Sequence, residues 1–318
     1  MSSRAQRQVI IGAEAAPGDG ATPDVALRAT AELRAVADKV VPDEDIGSFA
    51  PARHYLASLK AEGSIKMDAY YEHAPYLVSM AMGQGAVSGA SDPYTWTFEL
   101  PDDTPDDFQT YRMEFTDGPN HVVSANDVFA TALTISGEAG GAVMIEAELT
   151  GGAVTFPASL GATLSPPATV TAASMSQVKC WIDNGWPPGT TQMGQLISFS
   201  WKLEGLQHHK QFAGALYPTN RGHDKWDVTL EIVAELENGV IEGEKDKLLS
   251  AGGVSAIRIR ADGGANDRIT IDGSYTVMEV DNLDERDGNN IVKITYKAQK
   301  DSSDNVPSVV IITNLAAL

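Results

Sequence analysis

The sequence of 318 residues contains a single cysteine, Cys180. One cysteine can form neither an intramolecular disulfide nor a cysteine-based zinc site. Cys180 stands beside Trp181 and Ile182, a setting more typical of a buried small apolar side chain than of a nucleophile. These features predict a chain that folds in a reducing cytoplasm.

Long apolar runs and positive charge are also scarce. Residues 1–12 include basic side chains, but no apolar stretch long enough for a signal peptide, and no segment reaches the length of a membrane span. We therefore expect neither export by the usual route nor a membrane anchor. The 23 Lys and Arg residues stand against 43 Asp and Glu residues, which gives a formal net charge of -20. Such a surface repels phosphate and disfavours tight nucleic-acid binding, although DNA could still slide past it.

Sequence motifs of catalysis are missing as well. The chain has no Walker loop, no Gly-x-Ser-x-Gly elbow and no His-Glu-x-x-His. The glycines of residues 83–89 have the wrong spacing for a dinucleotide fingerprint and are better interpreted as a helix stop followed by a loop. We therefore predict no catalytic residue, no cofactor and no metal site.

Three residue groups could nevertheless carry chemistry. The His208-His209 pair, with His223-Asp224, could form a metal or enzyme site, but adjacent histidines on a strand point to opposite faces. We interpret them as polar strand-end residues. Acidic side chains cluster in a loop stiffened by prolines, interpreted as solvated: Asp102, Asp103, Asp106 and Asp107. The second half holds tryptophans, interpreted as core aromatics except Trp186, which lies on a loop suited to contact a neighbouring subunit: Trp181, Trp186, Trp201 and Trp226.

The hydrophobic pattern predicts a mainly β protein with short flanking helices. Residues 12–24 are rich in Gly and Pro and predict a loop, and 25–41 favour an extended segment. A helix is expected over Tyr70–Met82, ended by Gly83. Strands of the first half are predicted at Tyr94–Phe98, Thr110–Phe115, Val128–Ile135 and Ala142–Leu149, the last two forming a hairpin around a turn at 136–141.

The second half has the same order of elements. Strands are predicted at Gln177–Asp183, Leu196–Leu203, Gln211–Tyr217, Trp226–Leu236, Ala256–Ala261, Arg268–Asp272, Tyr275–Val280, Ile291–Gln299 and Ser308–Thr313, with a helix at Glu244–Ala251 and a polar hairpin turn at 283–290. Because Val128–Leu149 and Tyr275–Lys297 match in pattern, we predict a duplicated domain. The predicted division is an extended N-terminal arm (1–41), a first β domain (42–155), a linker (156–173) and a second β domain (174–318).

Several segments form a recognisable set along the chain. They are Asp43-Glu-Asp-Ile-Gly-Ser-Phe-Ala-Pro-Ala-Arg-His, Leu59-Lys-Ala-Glu-Gly-Ser-Ile, the helix ending at Gly83, Lys179-Cys-Trp-Ile-Asp-Asn-Gly, Ile197-Ser-Phe-Ser-Trp-Lys-Leu-Glu-Gly, Ala213-Gly-Ala-Leu-Tyr-Pro-Thr and Val228-Thr-Leu. Together they resemble siphophage tail tube (major tail) proteins. The resemblance loosely covers most of residues 40–300, and the acidic loop at 100–107 and the linker at 151–173 have no counterpart in that family.

The resemblance implies β-sandwich or barrel domains that form rings, and rings that stack into a hollow tube for genome delivery. Family members with a duplicated domain make three-subunit rings of pseudo-sixfold symmetry, so a trimer is expected, with a hexamer as the alternative. The implied partners are copies of the chain, DNA in transit, and tail proteins such as the tape measure, terminator and distal tail proteins. The implied location is the virion tail, after synthesis in the host cytoplasm.

Other functions compete with this one. A secreted carbohydrate-binding or adhesion β-sandwich would display rows of exposed aromatics and normally a signal peptide. An enzyme would need His208, His209 and Asp224 to converge in one pocket. A contractile injection tube shares the fold, but such tubes are usually single-domain and shorter.

Overall fold

A computed structural model describes residues 7–41, 54–101, 108–118, 121–167, 169–218, 220–235, 239–250, 253–286, 289–301, 303 and 305–318. Only the backbone is described for residue 240 and for the described part of 282–289. The protein is mainly β, as the sequence predicts, with antiparallel strands and short helices.

The strands and helices follow one another along the chain in this order: β1 Gln8–Ala13, β2 Val25–Leu27, β3 Thr30–Val40, β4 Tyr55–Asp68, α1 Ala74–Met82, β5 Ala86–Ser88, β6 Tyr94–Glu99, β7 Tyr111–Gly118, β8 His121–Glu138, β9 Val143–Gly151, β10 Val154–Thr155, β11 Val178–Asp183, β12 Gln192–Met193, β13 Leu196–Glu204, β14 Gln207–Lys210, β15 Asn220–His223, β16 Asp227–Glu235, α2 Gly239–Leu249, β17 Val254–Asp262, β18 Arg268–Arg286, β19 Asn289–Gln299 and β20 Ser308–Thr313. A 3-10 turn at Met175–Gln177 precedes β11.

One long antiparallel run of strands, here called the main sheet, has the order β3-β4-β9-β8-β13-β16-β19-β18. The long strands β8 and β18 each extend beyond it into a smaller sheet. The first part of β8 pairs with β7 and β10, and β7 continues to β1 and β2. The first part of β18 pairs with β17 and β20, which continue to β11 and to β6.

The core lies on one side of the main sheet, because its strands alternate buried apolar and outward polar residues. Helix α1 is buried along its whole length and packs on β8 and β9, whereas α2 packs on β18. Pro75 occupies the first turn of α1, and Gly83 ends the helix with φ 104°, its N–H donating to Ser79 O at 3.0 Å. The helix predicted from Tyr70 therefore begins at Ala74 and ends where the glycine indicates.

Several sequence predictions in the second half were wrong. Helix α2 begins at Gly239, before the predicted Glu244, and residues 283–286 and 289–290 of the predicted turn belong to β18 and β19. Residues Gln211–Tyr217 form turns between β14 and β15 instead of a strand, and Gly214 there has φ 88°. The predicted strands at Arg268–Asp272 and Tyr275–Val280 are parts of the single strand β18. Strand β18 continues through Gly273. A Cβ at that position would lie 2.7 Å from the Tyr275 ring, so glycine leaves room for the tyrosine side chain.

The predicted domain division stays a prediction, but strand pairing shows how its segments connect. Residues 8–13, within the predicted arm, form β1 and pair with β7, and Ile10 and Ile11 are fully buried. Within the predicted linker, the Gly161 N–H donates to the buried carboxylate of Glu114 at 2.6 Å. The pairings β8–β13 and β6–β20 join the two halves by hydrogen bonds.

Across the described part of the chain, no helix has both the length and the apolar character needed to span a membrane.

Candidate assembly surfaces

The outward face of the main sheet, here called the polar face, is a broad surface of charged and hydroxyl side chains. Carboxylates outnumber cations on it, because strand register and alternation place these residues there. The acidic members are Glu32, Glu62, Glu138, Glu146, Glu148, Glu204, Asp227, Glu231, Glu235, Glu279 and Asp281. The basic members are Arg34, Lys60, Lys66, Lys202, Lys293 and Lys297.

Every one of these six cations lies beside a carboxylate of the same face. The separations are 3.4 Å for Arg34–Glu62, 2.9 Å for Lys60–Glu62, 3.3 Å for Lys66–Glu146, 2.7 Å for Lys202–Glu204, 2.7 Å for Lys293–Glu231 and 2.8 Å for Lys297–Asp227. The hydrogen bond from Lys60 is the main cause that lowers the pKa of Glu62, which therefore stays ionised. Positive charge on this face is thus locally compensated.

The main sheet is open at both ends within the described residues. At one end, β3 pairs with β4 and with no other described strand. At the other end, β18 pairs with β17 only as far as Thr276, and the same side of its remaining residues has no described partner. Unpaired strand edges of this length can accept a strand from another chain.

In the middle of the sheet, β8 and β13 join the two halves of the chain. Residues Ala132–Glu138 of β8 pair antiparallel with Glu204–Ser198 of β13. Their core side meets at Leu133 and Leu203, both buried. This junction uses the part of β8 that lies beyond its pairing with β7. The equivalent part of β18, beyond its pairing with β17, is the part that stays open.

The two late hairpins repeat the same register. Adding 147 to the residue numbers of the β8–β9 pairs from Phe129–Thr150 to Ile135–Ile145 gives the β18–β19 pairs from Thr276–Lys297 to Asn282–Val292. The irregularity in pairing between Ala130 and Ala132 recurs after Val277. A shared register with a shared bulge indicates that the two halves are structural repeats.

The repeat extends to the hairpins β3–β4 and β13–β16. The pair Arg34–Glu62 in β3–β4 corresponds to Lys202–Thr229 in β13–β16, because Glu62 and Thr229 face the equivalent residues Thr150 and Lys297. β3 is therefore the counterpart of β13, and the open part of β18 is the counterpart of the joined part of β8.

Exposed apolar side chains gather at the far end of the β3–β4 hairpin. Val40, Val41, Tyr55 and Leu56 are 38%, 53%, 55% and 41% exposed. Met278, at the bulge of β18, is 54% exposed. Apolar side chains clustered on a surface in this way mark a contact site.

The structure brings His208 of the predicted histidine cluster beside Asp224, whereas His209 lies beside Asp127 instead. Nδ1 of His208 lies 2.7 Å from the Asp224 carboxylate without forming a hydrogen bond, whereas His209 Nε2 lies 3.2 Å from Asp127 Oδ2. His223 stacks on Phe108 with ring centroids 5.0 Å apart. The adjacent histidines point apart, as strand alternation predicts. No group of three potential metal ligands occurs among the residues that the structure describes.

The other singled-out residues have these surroundings. Cys180 and Trp201 are fully buried, and Trp186 and Trp226 are half-buried. Trp181 is 8% exposed, and the guanidinium carbon of Arg260 lies 4.9 Å from the centroid of its ring. The described tryptophans therefore form no exposed aromatic row. The acidic loop at 102–107 and the 43–53 part of the family-like segment lie outside the described residues.

Sequence reasoning missed the residues that matter most here, the open edges and the exposed hairpin end. β3 is predicted only as an extended segment, and nothing in its residues indicates that one side lacks a partner. The match between Val128–Leu149 and Tyr275–Lys297 was the available signal, since the first residues of the two ranges differ by 147, as do the equivalent pairs of the two hairpins.

Comparison with known proteins gives one match. A family described as phage tail tube protein matches residues 4–300 of the chain. A search of curated proteins finds no match.

Proposed function

Because the chain belongs to the phage tail tube protein family, a family of structural tail components, we propose that it assembles into rings that stack into the hollow tail tube and guide DNA during delivery. The observation that carries this proposal is the internal junction between β8 and β13. The chain already joins its own two repeats through strand edges, and it presents the same two kinds of edge at its ends.

The repeat indicates which edges meet between copies. If β18 of one copy pairs with β3 of the next as β8 pairs with β13, the pair Thr134–Lys202 becomes Asp281–Arg34. The pair Leu133–Leu203 becomes Val280–Ala35 by the same shift. Opposite charges then face each other on the polar face, and the two small apolar residues face each other on the core side.

Three copies supply six repeats, so this pairing closes a ring of pseudo-sixfold symmetry. Closure removes both open edges of the main sheet, which would otherwise be available for aggregation. Stacking of rings is a contact that does not close on itself and therefore produces a tube. The trimer favoured by the sequence remains the proposed ring, with a hexamer as the alternative.

The polar face is then the wall of the lumen. Its excess of carboxylates repels DNA phosphates, and its cations are each compensated within 3.4 Å or less. Affinity for DNA backbone depends on cations that phosphates can neutralise. A wall whose six described cations are all compensated supports passage of DNA without binding.

The wider setting follows from this function. The chain is placed in the virion tail, is made in the host cytoplasm, and contacts tape measure, terminator and distal tail proteins besides its own copies. It acts by shape and charge and catalyses no reaction.

A cysteine pair tests the proposed ring contact. Arg34→Cys combined with Asp281→Cys should form a disulfide between copies under mild oxidation, because directly opposed residues on antiparallel strands have Cβ atoms about 5 Å apart. The matched control is Thr134→Cys combined with Lys202→Cys, the equivalent pair inside one chain. Non-reducing gels report cross-linking, and negative-stain electron microscopy reports rings or tubes.

Covalent trimers from the test pair, together with visible rings, support the proposal. If both variants form rings, but only the control variant forms its disulfide and the test variant runs as a monomer on the gel, other edges must meet between copies. A chain that stays monomeric at every concentration and salt condition would overturn the ring proposal.

A further inference from the structure

We propose that the β18–β19 surface around Met278 docks the apolar end of the β3–β4 hairpin of a second copy. The docked residues are Val40, Val41, Tyr55 and Leu56 of that copy. The inference rests on the proposed ring and adds a contact on the sheet surface, separate from the pairing of strand edges.

The first half of the chain already carries such a contact. The hairpin β14–β15 from the second half lies over β8 and β9 of the first. The His209 ring packs edge-on against Phe129 with centroids 4.6 Å apart, and its nitrogens lie 3.3 Å from Thr150 Oγ1 and 3.2 Å from Asp127 Oδ2. In the turns between β14 and β15, Leu216 O accepts a hydrogen bond from the backbone N–H of Leu59 in β4 at 2.9 Å.

The end of the β3–β4 hairpin is the repeat counterpart of β14–β15. In both hairpins the pairing shifts by one residue at the equivalent position. The shift comes directly before Lys39 in β3–β4 and before its counterpart Gln207 in β14–β15. Beyond the shift, Lys39 opposite Leu56 corresponds to Gln207 opposite His223. One step farther, Val40 opposite Tyr55 corresponds to His208 opposite Gly222.

The surface that would receive this hairpin end is present in the second half and uncovered. The shift of 147 residues turns Phe129 into Thr276 and Thr150 into Lys297. Thr131, which lines a cleft with His209, becomes Met278. Thr276, the counterpart of the fully buried Phe129, is half-buried, and Met278, the counterpart of the half-buried Thr131, is 54% exposed.

The chemistry of the two sides fits. Val41, the counterpart of His209, is 53% exposed on the hairpin end, and Met278, the counterpart of the Thr131 that lines the cleft with His209, is exposed on the receiving surface. The unbranched thioether of methionine adapts to irregular apolar partners. Both exposed apolar groups would thus be buried by one contact between copies.

A cysteine pair tests the contact. Val41→Cys combined with Thr276→Cys should cross-link copies within rings. The matched control is His209→Cys combined with Phe129→Cys, the equivalent pair inside one chain. The edge pair Arg34→Cys with Asp281→Cys, described above, serves as the reference for ring formation.

Cross-linking of both the edge pair and the Val41–Thr276 pair supports the inference. An edge pair that cross-links while the Val41–Thr276 pair does not, although its control oxidises, would overturn this inference and leave the ring. Failure of wild-type protein to form rings would overturn both.

Oxidation of the unmodified protein gives a test that needs no variant. Peroxide oxidation of Met278, followed by peptide mass spectrometry, should be slower in rings than in free subunits by about fivefold or more, because exposure controls methionine oxidation. Met144, half-buried on the polar face, is the internal control and should keep its rate. Equal Met278 rates in both states would contradict the docking.

Discussion

At the scale of single residues, burial decides the chemistry of the few reactive side chains. Cys180 is fully buried, and burial, followed by the nearby Glu244 carboxylate, raises the pKa of its thiol to about 12. A thiol in this state is protonated at neutral pH and is a poor nucleophile. Sequence context had indicated the same inert role.

We therefore expect Cys180 to resist iodoacetamide at pH 8 in the folded protein and to react once the chain is unfolded in guanidinium chloride. Mass spectrometry of the alkylated peptide measures this. Rapid alkylation of folded protein would contradict the buried setting. The same inertness keeps Cys180 out of the cysteine-pair experiments.

His73 is a buried histidine that the sequence did not single out. It is 2% exposed, and burial, followed by the charge of Arg28, lowers its pKa to about 4. Its Nδ1 accepts the Arg28 backbone N–H at 3.4 Å, which requires a neutral ring. Between pH 6.5 and pH 4 the unfolded chain therefore binds a proton that the folded chain does not.

The free energy of unfolding should consequently fall as the pH drops through this window, by about 3 kcal/mol from His73 alone at pH 4. The variant His73→Gln should lose that part of the pH dependence in guanidinium titrations at pH 7, 5 and 4. The control His121→Gln alters an exposed histidine, 64% accessible, and should change little. Equal pH slopes for wild type and His73→Gln would contradict this assignment.

At the scale of elements, the open edge strand β3 is positioned by its close approach to β4 at Gly63. Gly63 in β4 faces Leu33 in β3, and a Cβ at Gly63 would lie 2.2 Å from the Glu32 carbonyl oxygen. That contact is with backbone, so it cannot be relieved by rotating a side chain. Glycine at this position lets β3 pack tightly against β4.

The substitution Gly63→Ala should therefore displace β3 and lower the free energy of unfolding by about 1–3 kcal/mol. The neighbouring Ser64→Ala, on the polar face, is the matched control and should stay within about 0.5 kcal/mol of wild type. Denaturant midpoints with unchanged slopes measure both. Wild-type stability of Gly63→Ala would show that the strands can separate without cost.

At the scale of the whole molecule, the repeat predicts the number of copies in a ring. Each chain contributes two repeats joined by β8–β13, so a ring of six repeats needs three chains. Native mass spectrometry of rings should give three times the chain mass of 33.8 kDa. A six-chain mass would favour the hexamer alternative and would require a wider lumen with twelve repeats.

Prediction from sequence worked best where local pattern and burial agree. The strand Ser308–Thr313 was predicted with its observed bounds, because Val309 to Ile312 are β-branched and Pro307 precedes them. The hairpin around 136–141 was also predicted correctly. It failed at Gln211–Tyr217, where apolar residues serve an exposed turn region. It gave no strand for β1, whose burial depends on pairing with the distant β7.

The amino-acid sequence was enough to predict the mainly β class, the helix that ends at Gly83, the inert cysteine and the family that matches residues 4–300. Each of these depends on residues close together in the chain or on their overall pattern. The folded chain was needed to see that the six described cations of the polar face are compensated and that β3 and the end of β18 are open. These properties depend on contacts between residues far apart in the chain, which no local pattern encodes.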